Sequence, residues 1–302
     1  MKETPKDMAA SVRDRLKALA VKQGENFDLV LVRYGIERLL YRLSKSPLKA
    51  KFILKGAMLF RVWDGRLHRE TRDLDLASFG DSSVETAVKS FQAVCAVPVP
   101  DDGLVFMDVR GEPLQAQEDY GGVRLTVLAK LTAARITIQV DVGFGNRITP
   151  PAKEIEFPTL LDFPAPKLRA YPVETVISEK LQALVDLGLR NSRFKDYFDL
   201  WHLGRTVRFE GPVLVAAIRA TFDQRQTAFP ETDPVGLTAK FVDDVQRQTM
   251  WRAFLRKVDP QSRDVALADT VDFLRTFLLP ALRAAGAGES FDKAWLPGGP
   301  WR

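Results

Sequence analysis

The sequence has one cysteine, Cys95, and two histidines, His68 and His202. One cysteine excludes an intrachain disulfide and any cysteine-cluster metal site. Two histidines make a histidine-rich zinc centre improbable. There is no apolar run of transmembrane length. Residues 1–20 are charged and helical in pattern, without a signal-peptide core. These absences leave a cytoplasmic protein with no membrane partner as the expectation. Internal repeats and a lysine- or arginine-rich tail are also missing. With 46% hydrophobic and 27% charged residues among 302, the chain can bury a core of one large domain or two ordinary ones.

The net charge of +5 is unevenly spread. Residues 1–72 carry 17 lysines and arginines against 8 acids, residues 73–165 carry 7 against 14, and residues 166–302 carry 20 against 17. A basic front beside an acidic middle can draw a polyanion towards an acidic centre. Solvated helical surfaces would give the same counts.

Two short stretches organise the front half. Lys55-Gly56-Ala57-Met58-Leu59-Phe60 reads as a strand that ends in a glycine turn and enters a short helix. Arg72-Asp73-Leu74-Asp75-Leu76 places two carboxylates two apart in an apolar alternation. On a strand, residues i and i+2 share a face. Two same-face carboxylates at a strand end can share a divalent cation, usually Mg²⁺; an ordinary solvated strand gives the same pattern. Gly56-Ala57 lets another group approach the backbone closely.

Around these stretches, helical spacing predicts helices over residues 5–24 and 26–44, the second capped by Asn26, with Arg33, Arg38, Arg42 and Lys45 off its apolar face. Residues 52–54 read as a buried strand. Residues 64–72 form a polar loop with Arg66, His68, Arg69 and Arg72, suited to triphosphate or nucleic-acid backbone. His68 reads most simply as a surface residue. Residues 73–79 form a strand, 84–94 a serine-capped helix, and 104–109, 125–131 and 135–144 further strands. A short link makes the last two antiparallel neighbours. Asp141 then stands near the end of a strand that could lie beside Asp73 and Asp75, as a third carboxylate or as an ordinary strand end. Ile155 to Leu160 could add an edge strand in a proline-rich stretch.

A division between domains is expected near Pro164-Ala165-Pro166, giving 1–165 and 166–302. The second part reads as helical over 173–187, 193–203, 211–221, 233–258 and 264–285, with a loosely held tail from 286. Lys180 lies beside the apolar face of the first of these helices. Asp196 and Asp199 share a face of the next. With Arg193 and Lys195 nearby, this also fits a plain salt-bridged surface.

Four pieces in order carry a family resemblance: Lys55-Gly56-Ala57, Arg72-Asp73-Leu74-Asp75-Leu76, Glu179-Lys180-Leu181-Gln182-Ala183-Leu184 and Arg193-Phe194-Lys195-Asp196-Tyr197-Phe198-Asp199-Leu200. Together they resemble the AbiEii/AbiGii-type nucleotidyltransferase toxins, a branch of the DNA polymerase β-like superfamily, over roughly residues 34–203. The resemblance implies an α/β (α+β) mixed sheet with N-terminal helices, followed by a mainly helical C-terminal domain. It implies Mg²⁺ held by Asp73 and Asp75, with Asp141 in the place of the superfamily's third carboxylate. Lys55, Gly56, Ala57, Arg69, Arg72 and Lys180 would contact the nucleotide. Asp196 would orient or activate an acceptor or fix Lys180, and Asp199 would support. The family pattern more often has serine or glycine where Ala57 stands, so a side-chain donor is missing there. The implied activity is transfer of a nucleoside monophosphate from an NTP to an RNA, tRNA among the choices, or to a protein. The implied partner is a helix-turn-helix antitoxin. Two other readings stay open at this level: a non-catalytic binding member of the fold, and a nucleic-acid-binding module built on the basic helices.

Overall fold

The computed structural model describes residues 7–65, 68–114, 122–145, 147–258 and 262–302. The chain forms two compact units, one of residues 1–146 and 153–170, the other of residues 147–152 and 171–302.

The first unit is a seven-stranded mixed sheet under a layer of helices. Its strands are β1 (Phe52–Lys55), β2 (Asp73–Ser78), β3 (Val105–Leu114), β4 (Gly122–Leu131), β5 (Ala134–Phe144), β6 (Lys153–Glu156) and β7 (Lys167–Ala170), in the order β3-β4-β5-β2-β1-β7-β6. The β2–β5 and β1–β7 pairs are parallel and the others antiparallel. The helices are α1 (Met8–Gln23), α2 (Phe27–Lys45), α3 (Phe60–Asp64) and α4 (Val84–Cys95). α2 packs on β5 and β7, and α4 on β3 and β4. Side-chain oxygens of Asp7, Asn26 and Ser83 cap α1, α2 and α4 by accepting from backbone N–H groups at 2.9, 2.8 and 3.2 Å. Gly24, in the left-handed region, closes α1. Gly35 lets α2 approach the sheet: a Cβ there would stand 2.8 Å from Ile138 Cδ1. Ile136, Ile138, Val140 and Val142 are all buried on the helix side of β5. Each such side chain contributes about 1.5–3 kcal/mol on burial.

Three expectations change in this unit. The α2 arginines are buried rather than set on a solvated face. Arg33 pairs with Glu25 at 2.7 Å, Arg38 with Glu37 at 2.9 Å and Arg42 with Asp102 at 2.7 Å. A charge-blind periodicity misses this, because it does not show that Glu25, the adjacent Glu37 and the distant Asp102 meet these arginines in the interior. Most of the front segment's excess charge in α2 is therefore not presented to a polyanion. His68 is buried against the Phe60 ring, with centroids 3.9 Å apart, not on the surface. β7 was missed because flanking prolines mark its four residues as linker. Its alternation, with Leu168 and Ala170 buried, was the available signal. An edge strand forms, but at Lys153–Glu156, sharing only Ile155 and Glu156 with the expected Ile155 to Leu160.

The second unit is mainly helical, with α5 (Val173–Leu187), α6 (Phe194–Thr206), α7 (Gly211–Gln224), α8 (Ala239–Val242), α9 (Val245–Leu255) and α10 (Leu267–Ala287), plus a short pair of β8 (Phe209–Glu210) and β9 (Ala294–Trp295). α5 packs on α6 and α7, and α10 on α6 and α7. The single helix expected over 233–258 is broken. A 3-10 turn at Val235–Leu237 and α8 precede α9, which is capped by Asp244. Asp233, at the start of the expected helix, pairs with Arg275 and Arg283 at 3.2 and 2.6 Å. Gly236 sits where a Cβ would meet the Tyr197 hydroxyl at 2.7 Å, and its carbonyl accepts from that hydroxyl at 2.9 Å. That tertiary contact overrides local helical spacing.

The C-terminal tail is anchored rather than loose. Trp295 is fully buried and donates its indole N–H to the Gly204 carbonyl at 2.6 Å. Trp301 donates to Phe277 at 2.8 Å and stacks on its ring. Glycine and proline content suggested a loosely held tail, but two tryptophans each bring a large apolar area and a satisfied donor. Trp251 is also core.

Candidate active site

β2 emerges beside β1 and β5 so that Lys55, Asp75 and Asp141 lie in one row across three strands, with Asp73 and Gln139 in the row beside it. Leu74 and Leu76 are fully buried, while Asp73 and Asp75 are half-buried. The alternation turns both carboxylates away from α1, α2 and α4, onto the face opposite Val140 and Val142. Adjacent strands lie about 4.8 Å apart, so the acids of β2 and β5 belong to one patch.

Gly56 is fixed by that patch. Its φ of 73° and ψ of −161° fall where essentially only glycine is comfortable. A Cβ on it would stand 2.0 Å from Asp75 Oδ2 and 2.6 Å from Cγ. The Asp75 carboxylate therefore lies directly against the turn. Ala57 follows in a 3-10 turn, Ala57–Leu59, and is buried. The two halves of the front motif thus meet in space, with Asp75 resting on Gly56.

Asp141 is already engaged. Arg124 of β4 donates to it twice, Nε to Oδ1 at 2.9 Å and Nη2 to Oδ2 at 2.8 Å, and Gln139 Nε2 adds a contact at 3.4 Å. The Asp141 hydrogen bond raises the Arg124 pKa above its ordinary value, and the charges on Asp141 and Asp73 act in the same direction.

In the second unit, Lys180 of α5 reaches two carboxylates of α6. Its Nζ lies 2.5 Å from Asp196 Oδ1 and 2.9 Å from Asp199 Oδ2. Arg193 Nε lies 2.7 Å from Asp196 Oδ2. Both acids are almost wholly buried, and Lys180 nearly so. Burial opposes charge on Asp196, but the Lys180 ammonium and Arg193 guanidinium outweigh it and hold its carboxyl below the ordinary range.

A family profile described as the nucleotidyl transferase AbiEii toxin of type IV toxin–antitoxin systems matches residues 38–294. The chain belongs to this family. It is accordingly a nucleotidyltransferase by class. The match runs from within α2 to the first residue of β9 and includes both clusters just described. Two solved structures are also similar. One is JHP933 from Helicobacter pylori, 17% identical, covering 83% of this chain and 93% of that one with a TM-score of 0.44. The other is described as a candidate nucleotidyltransferase from H. pylori, 17% identical, covering 84% and 95% with a TM-score of 0.46. No curated protein sequence matches the chain.

Within the first unit, the structure brings together Lys55, Gly56, Ala57, Asp73, Asp75 and Asp141; within the second, Lys180, Asp196 and Asp199. Arg72 is exposed and Arg69 is half-buried, with a bond to the Glu70 carbonyl at 3.3 Å. Arg66 lies outside the described residues. Sequence reasoning overlooked Arg124. The signal was present in the expected hairpin. Counting seven residues back from Leu131 and seven forward from Ala134 pairs Arg124 with Asp141.

Proposed function

We propose that this chain is the toxin of a toxin–antitoxin pair and transfers a nucleoside monophosphate from an NTP to an RNA end, with tRNA the first acceptor to test. The observation that carries the reading is the Asp75 carboxylate seated on Gly56, with Asp73 beside it on the same face. The donor set fits a hard divalent cation: two carboxylates, acceptor-only when ionised, beside a residue with no side chain. Mg²⁺ held by Asp73 and Asp75 would supply neutralisation of phosphate charge when bound.

The chain's own groups account for the rest. Gly56, with no side chain, lets the Asp75 carboxylate sit against the turn, where it would face the phosphates. Lys55, Arg69 and Arg72 supply positive charge in the same unit and offset the triphosphate. In the second unit, Asp196 and Asp199 hold Lys180 in place, the cation that the family resemblance assigns to phosphate. Asp196 is a poor general base, since its carboxyl is buried and its pKa lowered, so its role is to fix Lys180. The acceptor hydroxyl attacks the α-phosphorus in line, forming the new P–O bond as the bond to pyrophosphate breaks; its proton passes to solvent.

A general nucleic-acid-binding module gains little support, because Arg33, Arg38 and Arg42 are committed to buried ion pairs. No helix among the described residues is long and apolar enough to cross a membrane. A cytoplasmic site of action, where NTP, RNA and a helix-turn-helix antitoxin would meet the toxin, agrees with this reading. The test is transfer of α-labelled NTP to an RNA pool. Wild type should label RNA in Mg²⁺, and Asp75→Asn should abolish labelling with the melting profile kept. No labelling by wild type with any of the four nucleotides, across RNA and protein acceptors, would refute it.

A further inference from the structure

Arg124 completes a row of charges across the sheet: Lys55, Asp75, Asp141 and Arg124 on β1, β2, β5 and β4. Its Nε and Nη2 are spent on the two oxygens of Asp141. With both oxygens engaged and its charge compensated, Asp141 is a weak ligand for a metal ion. A guanidinium has five N–H donors, however, and the pair does not use them all. Nη1 has no partner among the described residues. The Arg124 side chain is 37% exposed, so an anion in solvent can reach it. A two-point clamp also removes much of the rotamer freedom that a free arginine would lose on binding.

We propose that Arg124 contacts the phosphates of the nucleoside triphosphate, and that Asp141 is a positioning residue that aims it rather than a third metal ligand. The inference rests on the reading of Asp73 and Asp75 as the place where those phosphates are held. Two strand spacings put the Arg124 backbone about 10 Å from that of Asp75. A triphosphate and an extended arginine side chain together span that distance. Without Arg124 the row would hold two carboxylates against one lysine, a poor environment for a polyanion. With it, the row is balanced and has a cation at each end.

The test uses the full-length chain and a non-hydrolysable α,β-methylene NTP, with binding measured by calorimetry at several Mg²⁺ concentrations. Arg124→Ala should weaken binding roughly 10- to 100-fold, as expected for a lost charge-assisted hydrogen bond, and raise the KM for NTP with a smaller change in kcat. Arg124→Lys should recover part of the loss. Asp141→Asn should weaken binding less than Arg124→Ala and leave the Mg²⁺ concentration for half-saturation unchanged. Unchanged nucleotide binding in Arg124→Ala would overturn the proposal. So would a several-fold shift in Mg²⁺ half-saturation in Asp141→Asn, which would make Asp141 a metal ligand. A rise confined to the KM for RNA would assign Arg124 to the acceptor and overturn it too. If Arg124→Ala does not fold, Arg124→Lys and Asp141→Asn decide by the same readings. Failure of the wild-type chain to bind any NTP is a different result and would overturn the nucleotidyltransfer reading itself.

Discussion

Replacing Gly56 by alanine tests the geometric link between the two halves of the front motif. Two costs are separable. The backbone at φ 73°, ψ −161° must be held with a Cβ present, a strain of about 1–3 kcal/mol. The new methyl would stand 2.0 Å from Asp75 Oδ2, 2.6 Å from Cγ and 2.7 Å from Cβ. Relieving such contacts by moving side chain or backbone costs about 1–3 kcal/mol more. Gly56→Ala should therefore lose roughly 2–6 kcal/mol of the first unit's stability. Asp75→Ala removes the two closest contacts but keeps the Cβ. A double-mutant cycle in urea, followed by a probe placed in the first unit because two units need not unfold together, separates the terms. The double variant should lose less than the sum of the singles by about 1 kcal/mol or more, the size of coupling found between touching residues. Additive losses within about 0.3 kcal/mol, or a Gly56→Ala protein as stable as wild type, would refute the claim that Asp75 rests on this turn.

Further outcomes follow from the buried charges and the tail. Lys180→Met removes the cation that Asp196 and Asp199 share in the second unit and should cost about 3–5 kcal/mol, read as a lowered melting temperature. The Asp196 carboxyl is held below its usual value of 3.8; its stabilisation is present above that pH and lost as pH falls through the lowered value, so Asp196→Asn should flatten the acid limb of the stability profile. Glu37 has the opposite sign. Burial pushes its carboxyl from 4.5 up to about 7 despite Arg38. Its contribution is therefore present below about 4.5 and lost as pH rises through about 7, and Glu37→Gln should remove that decline in a pH series of denaturant melts. Trp295→Ala should destabilise the second unit by about 3–5 kcal/mol; a change under 1 kcal/mol would restore the picture of a loose tail.

What the sequence made legible was what depends on local spacing. The i, i+2 rule placed Asp73 and Asp75 on one face, the short link at Thr132 set β4 against β5, and Asn26 and Ser83 marked two helix starts. What it hid depends on partners far along the chain. Arg38 and Arg42 look like surface residues until Pro164 and Asp102 are brought to them, at 3.0 and 2.7 Å. Asp233 looks like a helix cap until Arg275 and Arg283 arrive. Asp141 shows both halves of the lesson. Its place beside Asp75 follows from a strand pattern and a family likeness, and a reader stops there with a third ligand. Its chemistry is decided by Arg124, on the neighbouring strand. A carboxylate with both oxygens bonded to a guanidinium differs from a solvated one in charge, in ligand strength and in what it can do for a nucleotide. Position in a row of acids is thus insufficient to assign a metal ligand; the partner that neutralises each acid must be found first.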